Sequence, residues 1–467
     1  MSTLRGVLGM AILLVSTGGG FAEKPKPIGL CRENPHYLLF RGKPTVLVTS
    51  GEHYGAVLNL DFDYLRYLDE LHTRGLNLTR TFAGTYREVP SSFGIEENTL
   101  APGAGRFICP WARSVEPGAS DGGRKFDLSH WDEAYFARLK DFVAQAGRRG
   151  IVVELSLFCA IYDDTLWKAC PFYADNTTGG VEKAGRLEAY TLKHPKLSAL
   201  QTAFVRKVVS ELKPLDNLYY EICNEAYFGG VTREWSERMA RTIAETEADL
   251  PAKHLIAENI ANGRKKVTNP VPQVSIFNFH YASPPDTVAM NYALNRPLAD
   301  DETGFQGTGD FVYRREGWEF LLAGGAIYSN LDYSFTCKRP DGTHVVTRSP
   351  GGGGPELRRQ LAVLKRFVEG FDFVRMRPTP AAVRSRRATV HALVEEGKAY
   401  AIYLRGPSPV EVAIGLPAGT YRAEWINTRS GKTERLDRLE VKGGGAKLVS
   451  PPFTEDIALA LRRLANK

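Results

Sequence analysis

Residues 218–225 read LYYEICNE, an apolar run that ends in an amide and a carboxylate. The segments on either side of it, 197–212 and 235–243, carry apolar residues at helical spacing. A short apolar strand between two amphipathic helices is typical of a parallel sheet, in which each strand leads into a helix. This stretch therefore predicts an α/β architecture.

The same alternation extends from about residue 40 to about residue 370. The predicted strands are 44–50, 76–82, 151–157, 218–223, 255–260, 274–280, 297–301 and 326–331. The predicted helices lie around 62–71, after Asp61 as N-cap, and at 135–146, 197–212, 235–243, 311–323 and 355–369. Eight strands alternating with helices predict a closed (β/α)8 TIM barrel. A doubly wound open sheet is the alternative, but Ser50-Gly51-Glu52 after the first strand is not its glycine-rich phosphate turn.

The chain changes character near residue 375. From there on, short β-type runs are separated by Gly, Pro and Asn turns, which predicts a small C-terminal β-sandwich. The expected domains are a barrel over residues 23–374 and a sandwich over residues 375–467. Because the second region contains no compact cluster of acids or histidines, we expect it to be an accessory domain without catalytic groups.

The first 22 residues have the pattern of a signal peptide. Arg5 provides the positive charge, residues 7–15 are apolar but too short to span a bilayer comfortably, and Ala22 closes a run of small residues. We therefore expect an exported protein without a membrane span after cleavage. A membrane anchor or a disordered tail is the alternative. Export would permit disulfides among the six cysteines.

Composition argues against several other classes of protein. The formal net charge of +7 is mild for 467 residues, and no dense Lys/Arg block indicates a nucleic-acid partner. The chain contains no Cys-x-x-Cys pair, which makes a zinc or redox site improbable. The sequence thus predicts neither a cofactor nor a metal, and it does not specify an oligomeric state.

Two predicted strands end in carboxylates. Catalytic groups of a barrel lie at the carboxyl ends of its strands. Strand four runs into Asn224-Glu225, and strand seven runs into Glu302-Thr-Gly304. Two such carboxylates can flank a glycosidic bond; retaining hydrolysis needs them about 5–5.5 Å apart, one as proton donor and one as nucleophile. The alternative is that both acids form salt bridges at the rim.

Together with Arg80 at the end of strand two, these residues resemble the clan A retaining glycoside hydrolases. The chain is most similar to the family 5 group of cellulases and mannanases, as a distant member. The resemblance implies that Glu225 is the acid/base, that Asn224 binds the sugar 2-hydroxyl and that Glu302 is the nucleophile. It also implies that Arg80 binds the nucleophile, and a guanidinium there would keep Glu302 ionised.

The chain departs from the clan pattern at three strand ends. Strand six ends in adjacent His280-Tyr281 instead of His-x-Tyr, and adjacent residues of a regular strand face opposite ways. We therefore expect Tyr281 at the nucleophile and His280 at the sugar. The histidine after strand three is absent, so His53 is the candidate substitute. The tryptophan of strand eight is absent too, so Tyr328 or Tyr333 is the candidate sugar platform.

The sequence thus predicts a retaining glycoside hydrolase that cleaves β-glycosidic bonds of a poly- or oligosaccharide through a glycosyl-enzyme intermediate. A non-catalytic carbohydrate-binding protein on a degenerate barrel is the first alternative. A metal-dependent hydrolase that uses His53 and His280 is the second, although the nine histidines include no His-x-His pair. A transglycosylase would use the same residues.

Overall fold

The computed structural model describes residues 26–465, so the predicted signal peptide lies outside the described residues. Its centre is an eight-stranded sheet in which every ladder is parallel. The strands are β1 Leu47–Gly51, β2 Leu78–Phe82, β3 Val152–Cys159, β4 Leu218–Asn224, β5 Ile256–Asn262, β6 Ile276–His280, β7 Leu298–Thr303 and β8 Ile327–Leu331. The predicted TIM barrel is confirmed, with each strand within a few residues of its predicted position.

The side chain of Asn77 joins the two terminal strands of this sheet, β1 and β2. Its Oδ1 accepts a hydrogen bond from Val48 N at 3.0 Å, and its Nδ2 donates to Val46 O at 2.9 Å. The backbone N of Asn77 donates to Val48 O at 3.3 Å. Hydrogen bonds of the Asn77 side chain thus take the place of a backbone ladder between β1 and β2, and they close the sheet into a barrel.

Within residues 26–465, seven helices surround the barrel and an eighth, Asp164–Ala169, lies in the loop after β3. The seven are α1 Tyr64–Arg74, α2 Glu133–Arg148, α3 Pro195–Leu212, α4 Arg233–Thr246, α5 Asp286–Asn291, α6 Asp310–Leu322 and α7 Pro355–Glu369. The short helix α5 escaped the sequence analysis because six residues give no helical periodicity to read. Residues 263–275, between β5 and β6, contain no helix.

The predicted N-cap of α1 was wrong. The side chain of Asp63 accepts hydrogen bonds from Leu65 N and Arg66 N, whereas Asp61 pairs with Arg106 at 2.6 Å. The ion pair holds Asp61 in the preceding loop, and the helix begins two residues later than the apolar spacing indicates.

Within residues 26–465, no helix combines the length and apolar character that crossing a bilayer requires.

Two sheets form a sandwich after the barrel. Its longer strands are β9 Thr389–Glu395, β10 Ala399–Arg405, β11 Glu411–Ile414, β12 Gly419–Ile426, β13 Thr433–Val441, β14 Ala446–Val449 and β15 Asp456–Arg463. A six-stranded sheet contains β9, β10, β15, β12 and β13, and a three-stranded sheet contains β11 and β14. The predicted β-sandwich is confirmed; its boundary at residue 375 stays a prediction.

Strands β10 and β15 of the six-stranded sheet are buried on both faces. Ile402 of β10 lies in the core between the two sheets, whereas Tyr403 points the other way and stacks on Trp318 of α6 at 5.5 Å. Arg314, also on α6, pairs with Asp456 of β15 at 2.9 Å, and both side chains are buried. The sandwich therefore packs on the barrel through this sheet, and the three-stranded sheet forms the outer layer.

Replacement of Asn77 by Ala tests how the barrel closes. We expect Asn77→Ala to lower the free energy of unfolding by roughly 1–3 kcal/mol, since Val48 N–H loses its partner inside the protein and Val46 C=O keeps only the Thr45 hydroxyl. Chemical denaturation measures this loss. Gln273→Ala is the matched control, because the structure gives that amide no hydrogen bond; equal losses in the two variants would show that Asn77 does not close the barrel.

Candidate active site

The two predicted catalytic acids face one cavity at the carboxyl ends of the barrel strands. Glu225 directly follows β4, Glu302 lies near the end of β7, and each is 6% exposed. The cavity has a volume of about 380 Å³. One carboxylate oxygen of Glu225, one of Glu302 and a ring nitrogen of His280 all lie within 4.8 Å of one another. The structure thus brings together two acids that are far apart in the sequence.

Glu225 is held by two tyrosines and a histidine. The hydroxyl of Tyr162 donates to Oε2, and the hydroxyl of Tyr227 donates to Oε1 at 3.2 Å. Nδ1 of His280 lies 3.0 Å from the same Oε1. The backbone of Glu225 has a φ of 49°, a left-handed conformation that costs a non-glycine residue roughly 1 kcal/mol or more. This turn ends β4 and directs the side chain into the cavity.

Glu302 accepts hydrogen bonds from three side chains. Tyr54 and Arg80 donate to Oε2 at 2.8 and 3.1 Å, and Tyr281 donates to Oε1 at 2.9 Å. Burial alone would raise the pKa of Glu302. The charges of His280 and Arg80 together with these hydrogen bonds outweigh burial and lower the pKa, so the carboxylate is ionised at neutral pH.

His280 lies beneath the two glutamates and is fully buried. Its Nδ1 is 3.0 Å from Glu225 and 3.5 Å from Glu302. Burial would lower the pKa of His280, but the charges of Glu302 and Asp301 raise it well above its usual value. Nε2 lies 2.6 Å from Nδ2 of Asn259, so a protonated ring requires that amide to turn its Oδ1, which has no partner, toward Nε2.

Arg80 connects the glutamates to a deeper layer of acids. Its guanidinium donates to Glu221 at 2.6 Å and to Asn224 Oδ1 at 2.7 Å, and its Nε lies 3.4 Å from Asp301. Burial raises the pKa of Asp301 to about 6, against the opposing charges of Arg80 and His280. Arg80 therefore lies against Glu302, where the resemblance placed it, and also neutralises part of the barrel interior.

Two groups of side chains have the spacing of metal ligands. One consists of Glu221, His280 and Asp301, and the other of Glu225, His280 and Glu302. Arg80 contacts an acid of each group, at 2.6 Å from Glu221 and 3.1 Å from Glu302. A guanidinium at that distance already occupies carboxylate oxygens and repels a further cation, so these groups suit a metal poorly.

Adjacent His280 and Tyr281 both reach Glu302, which differs from the expectation that they face opposite ways. The strand β6 ends at His280, and Tyr281 has a φ of 52°. This left-handed turn returns the tyrosine hydroxyl to the carboxylate that His280 approaches from below. Tyr281 thus lies at Glu302, as expected, but His280 does not line the cavity in which a sugar would bind.

Some of the other predicted sugar contacts line the cavity and others do not. His53 lines the cavity, and its Nε2 lies 3.2 Å from a carboxylate oxygen of Glu88. Tyr333 is only 2% exposed and is not among the cavity-lining residues, although its ring centroid is 6.0 Å from that of His53.

Tyr328 is buried and donates to Tyr313 O at 2.7 Å, so the expectation of a sugar platform at Tyr328 was wrong. Asn224 lines the cavity, but Arg80 occupies its Oδ1.

Three polar side chains of the site escaped the sequence analysis. Tyr162 and Tyr227 donate to Glu225, and Glu88 lines the cavity. Tyr162 and Glu88 lie in loops and Tyr227 in the short 3-10 helix Ala226–Phe228, where no periodicity indicates which way a side chain points. Tyr54, which directly follows His53 in the sequence, donates to Glu302.

Three phenylalanines stand at the entrance of the cavity. Phe93, Phe228 and Phe305 line it and are 42%, 50% and 42% exposed. Large exposed aromatic rings around a polar centre are typical of binding sites, because they offer apolar faces to a ligand. Aromatic surface thus surrounds the two carboxylates even though the strand-eight tryptophan is absent.

Solved structures with the same fold include glycoside hydrolases. A Bacteroides vulgatus protein provisionally named a glycoside hydrolase matches with a TM-score of 0.65 and 12% identity, over 95% of this chain and 83% of that chain. A protein named glycoside hydrolase matches at 0.63 and 14%, over 95% and 98%. A family 5 glycoside hydrolase from Bacteroides vulgatus matches at 0.61 and 14%, over 94% and 93%.

The chain shares its fold with a family 5 glycoside hydrolase. No family model matches the sequence, and no curated protein matches it. At 12–14% identity these likenesses concern the fold alone, which is the fold that the resemblance implied.

Removal of Arg80 tests its structural role. We expect Arg80→Met to lower the free energy of unfolding by about 3–5 kcal/mol at pH 7, because Glu221, Asp301 and Glu302 lose their shared cation inside the protein. The difference in free energy of unfolding between the variant and the wild type should be smaller at pH 5 than at pH 7. Unpaired buried carboxyls have raised pKa values, so the folded variant binds protons as the pH falls and regains stability.

Urea denaturation at both pH values measures this effect. Arg66→Met is the control, because Arg66 is an exposed arginine 3.6 Å from Asp341, and we expect its loss to change stability by no more than about 0.5 kcal/mol. A pH-independent loss in Arg80→Met would contradict the role of Arg80 as a counter-charge.

Proposed function

We propose that the protein is a retaining glycoside hydrolase, with Glu302 as nucleophile and Glu225 as general acid/base. One observation carries the proposal: carboxylate oxygens of these two residues lie within 4.8 Å of each other in one cavity. Retaining enzymes keep their two carboxyl groups about 5–5.5 Å apart, whereas inverting enzymes leave about 6.5–9.5 Å for a water molecule. The spacing therefore favours direct attack by one carboxylate.

In the first step, Glu302 attacks the anomeric carbon while Glu225 transfers its proton to the glycosidic oxygen. The bond between carbon and leaving oxygen breaks, and a covalent glycosyl ester of Glu302 forms. Tyr54, Arg80 and Tyr281 fix the attacking carboxylate, and its lowered pKa keeps it in the ionised form that attack requires.

In the second step, Glu225 acts as a base. It takes a proton from a water molecule, whose oxygen attacks the anomeric carbon and displaces Glu302. Each step inverts the anomeric configuration, so the product retains it. Glu225 ends protonated, as it began, and Glu302 ends ionised.

The fold shared with glycoside hydrolases supports this activity, and the resemblance to clan A supports the β configuration of the bond. We propose a poly- or oligosaccharide as substrate. The rings of Phe93, Phe228 and Phe305 at the cavity entrance support this, since aromatic faces pack on the apolar faces of sugars.

Azide rescue separates the roles of the two acids. An aryl β-glycoside with a good leaving group needs little protonation, so Glu225→Ala should form the glycosyl-enzyme and then stall. Azide should restore turnover and yield a β-glycosyl azide. Glu302→Ala cannot form the intermediate, so azide should attack from the opposite face and yield an α-glycosyl azide. Proton NMR of the first-formed products distinguishes these outcomes.

The control is Glu88→Ala, a change at a third acid that lines the cavity, in which azide should rescue nothing. Inverted product from the wild type would exclude Glu302 as nucleophile. A wild type that binds oligosaccharides but does not hydrolyse an activated aryl glycoside would instead indicate a carbohydrate-binding protein.

The pH dependence of turnover tests the hydrogen bond from Tyr54. Tyr54→Phe removes a donor that lowers the pKa of Glu302, so this pKa rises. Since Glu302 must be ionised to attack, the acid limb of the kcat/KM profile should move to higher pH. The plateau should fall roughly 10- to 100-fold, the usual effect of losing one hydrogen bond to a charged group.

Tyr135→Phe is the control, because it removes another buried hydroxyl, which donates to Ala83 O at 2.8 Å away from the glutamates. Its pH profile should match that of the wild type. An acid limb that stays in place in Tyr54→Phe would show that Tyr54 does not set the ionisation of Glu302.

A further inference from the structure

A basic groove lies on the outer layer of the sandwich, on the side of the three-stranded sheet that faces away from the barrel. Its volume is about 900 Å³. Arg384, Arg386 and Arg387 line it together with Ala413 of β11 and Lys447 of β14, and Arg384 pairs with Ala413 in the sheet. The catalytic cavity shares no lining residue with this groove.

The three arginines of the groove lack partners inside the protein. Within residues 26–465, the side chains of Arg384, Arg386 and Arg387 make no hydrogen bond or ion pair, and all three are exposed. Lys447 lies 3.8 Å from Glu411, the one acid among the lining residues. Four positive groups around one negative group produce a positive potential that attracts anions from solution.

The groove continues into a second depression of about 390 Å³, which shares Arg384, Ala413 and Lys447 with it. Gly444, Gly445 and other small residues line this extension. Small residues leave room for the backbone of an extended polymer. No aromatic side chain lines either part, so the groove offers no ring on which a neutral sugar or a nucleobase would stack.

We propose that this groove binds an acidic polysaccharide, a chain that carries carboxylate or sulfate groups. The arginine guanidinium groups would pair with those groups through two parallel hydrogen bonds, the geometry that planar guanidinium favours. The choice of a polysaccharide over other polyanions rests on the proposed function of the barrel. The sandwich would then hold the polymer whose glycosidic bonds the barrel cleaves.

Binding of defined oligosaccharides tests the proposal with the full chain. The probes are a β-1,4-linked oligomannuronate hexamer, a chondroitin sulfate hexasaccharide and, as neutral partner of the same length, cellohexaose. Isothermal titration calorimetry should show that at least one acidic probe binds more tightly than cellohexaose, and that added salt weakens this binding. The triple variant Arg384→Ala/Arg386→Ala/Arg387→Ala should lose affinity for that probe by about tenfold or more.

The matched control is Lys432→Ala/Arg438→Ala/Lys442→Ala. It removes the same charge from exposed residues at and beside β13, outside the groove, and should keep wild-type affinity. Both triple variants should hydrolyse a small aryl glycoside at the wild-type rate. The calorimetric titrations use wild-type and triple-variant chains that also carry Glu302→Ala, which removes the proposed nucleophile. Affinity for the acidic probe is then read without turnover, so failure of the proposed hydrolase activity and failure of this inference are distinguishable.

Three results would overturn the proposal. The first is a wild type that binds neither acidic probe, or binds cellohexaose equally well. The second is an equal loss of affinity in the groove variant and its control. The third is tighter binding, dependent on the same arginines, to an oligothymidylate or to vesicles of anionic phospholipid, which would assign the groove to nucleic acid or to membranes.

Discussion

The buried guanidinium of Arg80 is the positive charge that stabilises the acidic side chains toward the carboxyl ends of the barrel strands. From β2 it reaches Glu221 on β4 and both Asp301 and Glu302 on β7, all within 3.4 Å. Buried carboxylates at such density repel one another and are stable only with a counter-charge in place. The same contact holds Asn224, so a single side chain fixes the relative positions of the strands that carry the two glutamates. Stability and chemistry at this site are therefore not separable by removing Arg80.

His280 adds a second constraint, because its Nδ1 faces both glutamates. In the proposed first step Glu225 gives up its proton and becomes an anion, while Glu302 becomes a neutral ester. The negative charge thus moves from Glu302 to Glu225, and both positions lie within 3.5 Å of the same ring nitrogen. A fixed buried donor can serve both states without reorganisation, which is the property that lowers barriers in preorganised sites. On the other side of the ring, Nε2 lies 2.6 Å from Asn259 and 3.6 Å from Asp301. These two contacts determine how strongly His280 holds its second proton.

Sequence periodicity predicted the helices, the strands and the residues at the strand ends. The helix Pro355–Glu369 has its predicted ends, and Glu225 and Glu302 lie at strand ends because an apolar run must give way to polar residues where a strand leaves the core. Backbone turns are a different matter. Tyr281 reaches Glu302 through a left-handed φ that its residue type does not indicate, and Tyr162 comes from a loop. The pair of acids, the cation and Tyr281 were therefore predictable, but the hydrogen bonds from Tyr54, Tyr162 and Tyr227 to the acids were not.

The sandwich shows how burial decides which surfaces remain for binding. Strand β10 reads AYAIYLR and is buried on both faces, because Ile402 packs on the three-stranded sheet and Tyr403 on α6. A strand covered on both sides has no face left for a ligand. The three-stranded sheet is covered on one side only, and its outer positions include the charged residues Glu411 and Lys447. Unpaired arginines beside that face repel one another, and an anion bound between them would relieve this repulsion, which is the physical basis of the site proposed for the outer layer.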